Sequence, residues 1–304
     1  MRMTGLLIAS TILLFGCGEP AGDKAQHPQP APQKQTAAPQ PVRKLWETRP
    51  PARLLPHLDT QTRVVHDGAK IWVATVGTGA PVILLHGAFG NAENFGNQVP
   101  ALLKSGHRVI LIDSRGQGHS TRDARPFTYE LMESDVVAVM DALKLDKAAI
   151  VGWSDGAIIG LIMAMKHPKR VTRLFAFGAN MDQSGAMSIL DTQPIFDGFL
   201  EQAAKDYARL SDTPGDFQAV SEAIYQMLLS QPNYTAKDLA AIRGPRIAIV
   251  DGEREEVIKP EHTKYLASTI PGAKLIILPN VSHWAPLQDP AAFNAAMLAF
   301  LDAP

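Results

Sequence analysis

The sequence predicts an α/β protein: a mostly parallel central sheet with helices on both faces, interrupted late in the chain by a helical insertion. Three observations predict it. Short apolar runs of strand length alternate with longer helical stretches from about residue 60 onward. One run, Ala148 to Val151, leads through Gly152-Trp153-Ser154-Asp155-Gly156 into an apolar segment whose Gly156, Gly160 and Ala164 share one helical face. Finally, His86, Asp113, Ser154 and Asn180 each stand just past the end of a predicted strand. That is the edge at which open α/β sheets bind ligands.

The first segment stands apart from that pattern. Arg2 is followed by an apolar run from Leu6 to Phe15. A membrane span needs about 20 residues, so this run fits the h-region of a secretory signal better than a transmembrane helix. It ends in Leu14-Phe15-Gly16-Cys17, which resembles the lipobox of bacterial lipoproteins. That resemblance implies cleavage after residue 16 and lipidation of Cys17. From Glu19 to Val42 prolines and glutamines alternate with few large apolar residues. Such a stretch cannot offset its ordering entropy by burial and reads as an extended tether. Residues 1–16 are therefore expected to be a signal peptide and residues 17–45 a lipid-anchor cysteine with its linker. Residues 46–304 are expected to form the folded domain. Gly18 in place of an aspartate, by the same lipoprotein resemblance, favours an outer-membrane anchor facing the periplasm.

Within the domain, strands are expected at Gln61 to Val65 and Ala69 to Val76, then at Pro81 to Leu85. The third is continuously apolar, as a strand covered on both faces should be. It runs into His86-Gly87-Ala88-Phe89-Gly90, whose small residues leave backbone N–H groups free to face a ligand. His86 itself reads as a buried hydrogen-bonding histidine. Val109 to Ile112 is the next strand, followed by Asp113-Ser114-Arg115-Gly116-Gln117-Gly118-His119-Ser120. No third glycine opens a helix there and no Lys-Ser/Thr follows, which excludes dinucleotide and P-loop readings. The loop is expected to shape the rim of the site. Tyr129 to Leu143 is helical, with Leu131, Val136, Val139 and Leu143 on a broad apolar face. The helix after Ser154 stops at Lys166-His167-Pro168. Val171 to Phe177 is a strand ending in Gly178-Ala179-Asn180.

Residues at about 182–243 break the alternation. Phe196 to Leu210 and Phe217 to Leu229 read as helices, and Phe217, Val220, Ile224 and Leu228 form an apolar stripe. This insertion is expected to be a lid over Ser154, with its apolar underside forming part of a pocket. Arg246 to Val250 resumes the sheet, a helix starts near Pro260, Lys274 to Leu278 is the last strand, and Pro290 to Leu301 closes the chain as a helix.

The Gly152-to-Gly156 turn carries the chemistry. Strand, sharp turn and helix is the setting in which G-x-S-x-G presents an exposed, strained serine, and side chains at 152 and 156 would collide across that turn. Serine needs a base, and the base an orienting carboxylate. His283, in the loop after the last strand, is the best placed of the 9 histidines. The acid is expected from the loop after Val250, where Asp251, Glu253, Glu255 and Glu256 compete. The N–H of Asp155 and one from the loop behind His86 would hold an oxyanion.

Composition sets further bounds. The 304 residues are 46% hydrophobic, enough for a substantial core, and the net charge of −1 with no basic stripe gives no reason to propose nucleic acid. Cys17 is the only cysteine, which excludes internal disulfides and a cysteine nucleophile in the domain. No His/Glu cluster has ligand spacing, so neither a metal nor another cofactor is expected.

Together these motifs resemble the α/β-hydrolase superfamily over about residues 60–303. The elbow, Phe177-Gly178-Ala179-Asn180 and Asp113-to-Ser120 are most similar to its valacyclovir-hydrolase-like and biphenyl-hydrolase-like branch. The resemblance implies a serine hydrolase acting on a small acyl substrate through an acyl-enzyme. Ser154 would be the nucleophile and His283 the base, with the amides of Asp155 and Ala88 (Phe89 as second choice) as the oxyanion hole. The branch places its acid at the fourth position of Gly-x-x-Asp. Counted from Gly252 that is Glu255, a departure from Asp to Glu, with Asp251 as the alternative. The branch also suggests that Asp155 could bind a substrate amine. An ester is the expected substrate. Aminopeptidase, carbon–carbon bond hydrolase and perhydrolase share fold and triad, and a noncatalytic lipid-anchored binding protein is the alternative outside enzymes. Nothing in the sequence speaks to oligomeric state.

Overall fold

The computed structural model describes residues 44–187 and 195–304. The expected signal peptide, Cys17 and nearly all of the linker lie outside the described residues, as do residues 188–194 of the insertion. Arg43–Pro304 forms one unit.

Eight strands build one sheet: β1 (Thr60–His66), β2 (Ala69–Val76), β3 (Ala80–Leu85), β4 (His107–Ile112), β5 (Ala148–Trp153), β6 (Val171–Phe177), β7 (Arg246–Gly252) and β8 (Lys274–Leu278). The helices, in chain order, are α1 (Val99–Lys104), α2 (Tyr129–Ala142), α3 (Asp155–Lys166), α4 (Ile195–Leu210), α5 (Phe217–Ser230), α6 (Ala236–Ala240), α7 (Pro260–Thr269), α8 (Ala285–Gln288) and α9 (Pro290–Leu301). The strand order is β1-β2-β4-β3-β5-β6-β7-β8. β1 and β2 form an antiparallel hairpin, and β2 also pairs antiparallel with β4. All later pairs are parallel. Every strand predicted from the sequence is present. The short helices α1, α6 and α8 were not anticipated, because none is long enough to show a period.

The central strands are apolar without alternation because both faces are covered. Ile83 and Ile150 join one buried cluster with α2 and α3, while Leu84 and Val151 join a second with α9. The chain order reverses at β3, which has β4 on one side and β5 on the other. A crevice must open there between the carboxyl ends of β3 and β5, because their following connections leave in opposite directions. Gly87-Ala88 and Ser154 line that crevice.

Two details differ from the sequence expectation. β7 runs past Val250 through Gly252, since Asp251 pairs with Ile277 and Gly252 with Leu278. Asp251 thus belongs to a strand and not to the loop after it. β8 is an edge strand, so Leu275 and Ile277 remain exposed although the run is apolar.

Candidate active site

Ser154 sits between β5 and α3 with φ 54° and ψ −118°. A non-glycine residue there stores on the order of 1–3 kcal/mol of backbone strain, which persists only where the surroundings over-determine it. They do so here. The Ser154 N–H donates to the Phe177 carbonyl (2.8 Å), and the Ser154 carbonyl accepts from Ala157 and Ile158 (2.8 and 3.1 Å). A Cβ at position 152 would lie 2.3 Å from the Gly156 carbonyl oxygen, as the collision argument requires. Gly156 is explained differently: a Cβ there would meet the Leu85 carbonyl oxygen at 2.0 Å, so the close approach is to β3 and not across the turn. Gly160 lets α3 settle onto Leu174 of β6.

His283 follows β8 and is almost wholly buried. Its Nδ1 is 2.9 Å from Glu255 Oε1, which orients the ring and leaves Nε2 as the nitrogen free of that carboxylate. Glu255 Oε1 also accepts the N–H groups of Val257 (2.8 Å) and Ile258 (3.2 Å). Glu256 accepts the His283 N–H (3.1 Å) and the Ser282 hydroxyl (3.0 Å), pinning the loop itself. Asp251 makes no hydrogen bond to His283; it accepts from Thr263 Oγ1 (2.5 Å) and from the Gly252 N–H (3.0 Å). Of the competing carboxylates, then, Glu255 meets the imidazole.

Ser154 and His283 line the same cavity. No hydrogen bond joins their side chains among the described residues, a looseness common in ligand-free serine hydrolase geometry. Burial drives the electrostatics. It lowers the His283 pKa from the usual 6.5, against the pull of Glu256, Asp251 and Asp155. It raises Glu255 to about 7, against the Asp251 contact and the Val257 and Ile258 amides. A neutral imidazole at neutral pH is the protonation state a general base requires.

The backbone behind His86 is shaped for donation. His86 is completely buried, its Nδ1 donating to the Gly87 carbonyl (2.8 Å) and its Nε2 accepting from Ser114 N–H (3.0 Å). It is structural, as expected. Phe89 has φ 61° and Gly90 donates to the Gly87 carbonyl, so the chain turns sharply and leaves the Ala88 and Phe89 N–H groups without a backbone acceptor among the described residues. Asp113 secures this loop by accepting the Ala92 N–H (2.7 Å) together with the His119 N–H and Nδ1 (both 2.8 Å).

Asp155 is buried at the start of α3, with Oδ1 accepting the Tyr129 hydroxyl (2.8 Å). Among the described residues its Oδ2 has no hydrogen-bond partner, and the residue lines the cavity. Burial raises it to about 6 despite the Tyr129 hydrogen bond.

The cavity measures about 460 Å³. Phe196 and Phe199 from α4 and Tyr225, Leu228 and Leu229 from α5 cover it, so the insertion does roof Ser154. Met227 and Tyr207 instead turn into the main core. Sequence reasoning missed three residues. Gly178 has φ +67°, and a Cβ there would sit 2.7 Å from His283 Cε1. Gly87 would place a Cβ 3.0 Å from Ser154 Cβ. Tyr129 is buried against Asp155. Two of these are glycines, and their only sequence signal is a position just past a strand end. Among the described residues no cluster of three or more His, Cys, Asp or Glu side chains is arranged to hold a metal ion.

Residues 80–224 match the family model described as alpha/beta hydrolase fold. The chain is 29% identical to a candidate carbamate hydrolase, RutD, of Caulobacter sp. (strain K31), over 72% of this chain and 90% of that protein. It is 28% identical to the serine hydrolase BPHL of Homo sapiens, over 80% of this chain and 86% of that one. Among solved structures it is similar to the esterase EaEST from Exiguobacterium antarcticum, at 25% identity and a TM-score of 0.64, covering 80% of this chain and 99% of that one.

Proposed function

We propose that the chain, an α/β-hydrolase by its fold and by the family model matched over residues 80–224, is a serine hydrolase cleaving small carboxylic esters through an acyl-enzyme. The observation that carries the proposal is the strained Ser154 sharing a cavity with a buried His283 whose Nδ1 is held by Glu255.

In this reading the substrate carbonyl enters the crevice between β3 and β5. Ser154 Oγ attacks the carbonyl carbon while His283 Nε2 takes its proton. Glu255 keeps the imidazole in the tautomer that presents a lone pair and stabilises the imidazolium that forms. The negative oxygen is held by the Asp155 and Ala88 N–H groups, with Phe89 as the alternative donor, each donor worth roughly 10²–10³ in turnover. His283 returns the proton to the leaving alcohol. A water then repeats the sequence and frees Ser154. The apolar roof accepts the acyl or alcohol chain and excludes bulk water.

A second reading is favoured by the partnerless Asp155 Oδ2. A substrate carrying an ammonium group would satisfy that oxygen, making aminoacyl esters better substrates than simple esters. Labelling by a fluorophosphonate probe, lost in Ser154→Ala, tests the serine mechanism. A panel of p-nitrophenyl esters of rising chain length, with aminoacyl esters and carbamates alongside, tests the substrate class. No labelling of the wild type together with no turnover of any of them would leave only a binding protein on this fold.

The lipoprotein-like N-terminus supports a placement in the cell envelope: lipid attached at Cys17, the Pro- and Gln-rich segment as tether, the domain facing the periplasm. One acyl chain binds a membrane reversibly, whereas two or more anchor it firmly. Cys17→Ser is expected to move the protein from the membrane to the soluble fraction, and retention in the membrane would refute the anchor.

A further inference from the structure

The pocket behind His283 contains more carboxyl groups than one imidazole requires. Glu255 meets the ring and Glu256 meets the backbone of the same residue. Asp251 lies deeper, 2% exposed, near the end of β7 and within hydrogen-bond reach of the Glu255 carboxyl. Glu255 Oε1 receives three donors, from His283, Val257 and Ile258. Its Oε2 is equally buried, yet among the described residues no N–H or hydroxyl reaches it.

Two carboxyl groups in contact in a dry site cannot both ionise, so the pair must hold a proton. The donors around each group decide where. Glu255 is wrapped by two amides and faces the imidazole that becomes cationic. Asp251 has the Gly252 N–H and the Thr263 hydroxyl, and no partner that gains charge. Ionisation is therefore better supported at Glu255.

We propose that Asp251 is a neutral carboxylic acid that donates its proton to Glu255 Oε2 and thereby holds Glu255 as the ionised partner of His283. It is a positioning residue and not the triad acid. The inference rests on the roles of His283 and Glu255 given above. Burial, followed by the neighbouring Glu255 charge, pushes Asp251 well above the usual carboxylate range. The Thr263 hydroxyl and His283 both favour an ionised Asp251, and burial together with the Glu255 charge outweighs them. Glu256 places its negative charge beside Glu255 and His283 from the loop after β7, and His283 approaches Asp251 from the loop after β8. Helix α7 presents the uncharged Thr263 hydroxyl, while its His262 is engaged by the Met181 N–H and turned toward Asp182.

The test compares Asp251→Asn and Asp251→Ala in the full chain. The infrared carbonyl band of a protonated carboxyl is expected in the wild type well above pH 7, where Glu255 and Asp155 have lost their protons, and is expected to be missing from Asp251→Asn. The asparagine amide still donates to Glu255, so kcat should stay within about threefold of wild type, while alanine loses roughly tenfold with KM little changed. The acid limb of kcat/KM should stay in place in Asp251→Asn, because no charge has been removed.

An ionised Asp251 predicts the opposite: no such band, and an acid limb lowered by about one pH unit or more in Asp251→Asn, since an anion near the imidazole is lost. Either result overturns the proposal, as does a full kcat in Asp251→Ala or an asparagine variant as damaged as the alanine one. The infrared band needs no substrate. Failure of the serine-hydrolase reading would show as absent fluorophosphonate labelling with the band intact.

Discussion

At the strand edge, Ser154, His283 and Glu255 are held by buried contacts that leave little freedom: a backbone bond from Ser154 to β6, three donors on Glu255 Oε1, and Gly178 flat against the imidazole. The roof is held differently. Val220, Ile224 and Met227 bury one face of α5, but the turn joining α4 to α5 is tied by partly exposed ion pairs, Arg209 to Glu93 and Arg63 to Asp212. Such pairs contribute about 0–1 kcal/mol each and weaken with salt. Bond-making chemistry tolerates errors well under 1 Å, so it sits on the sheet. An apolar chain can be accommodated in many poses, so its cover can be softer.

The comparison is broken most decisively at its rigid end. Ser154→Ala is expected to lower kcat on a responsive ester by roughly 10⁴–10⁶ with the fold intact, measured by steady-state turnover beside a thermal melt. Glu255→Gln should cost roughly 10³–10⁴ through loss of the imidazole's orienting charge, and near-full activity in that variant would return the acid role to Asp251. Gly178→Ala should lower kcat roughly 10²-fold by displacing the His283 ring, and it also carries the strain of a positive φ.

Two expectations concern pH. Burial lowers the His283 pKa, so the base is neutral over more of the range, and the acid limb of kcat/KM should fall below pH 6.5. For an aminoacyl ester, a further loss should appear as pH falls through about 6, where Asp155 takes up a proton and stops attracting the amine. A simple ester should lack that step, and equal profiles for both would remove Asp155 from substrate binding.

The smallest effect is expected at the roof. Arg209→Ala should change kcat/KM by less than about fivefold, with the wild-type difference shrinking as salt rises. A loss as large as that of Gly178→Ala would mean that the roof, too, is a precise element.

Most of the architecture was legible from residue 60 onward, for a physical reason. Strands buried on both faces need unbroken apolar runs, as in β3 and β5, and the strand Lys274–Leu278 and the helix Pro290–Leu301 also fall where the sequence places them. Ser154 was legible because a backbone that tight demands glycines two residues to either side. Position 156 was legible for an incomplete reason, since the neighbour it must clear belongs to another strand. The exposed face of β8 was not legible, because an apolar run does not say whether it lies at an edge.

The chain's local chemistry specified the strands, the elbow, and a histidine and a set of carboxylates brought to one edge of a sheet. It left Asp251, Glu253, Glu255 and Glu256 as equals, since all stand within a few residues of one strand end. The family resemblance pointed to Glu255 with Asp251 as the alternative, and the physical reason for the difference lies in the tertiary structure. Pairing with β8 extends β7 through residue 252 and commits Asp251 to a buried strand position against Thr263, while Glu255 turns to His283. Register and side-chain direction depend on partners far away in sequence, and no local pattern encodes them.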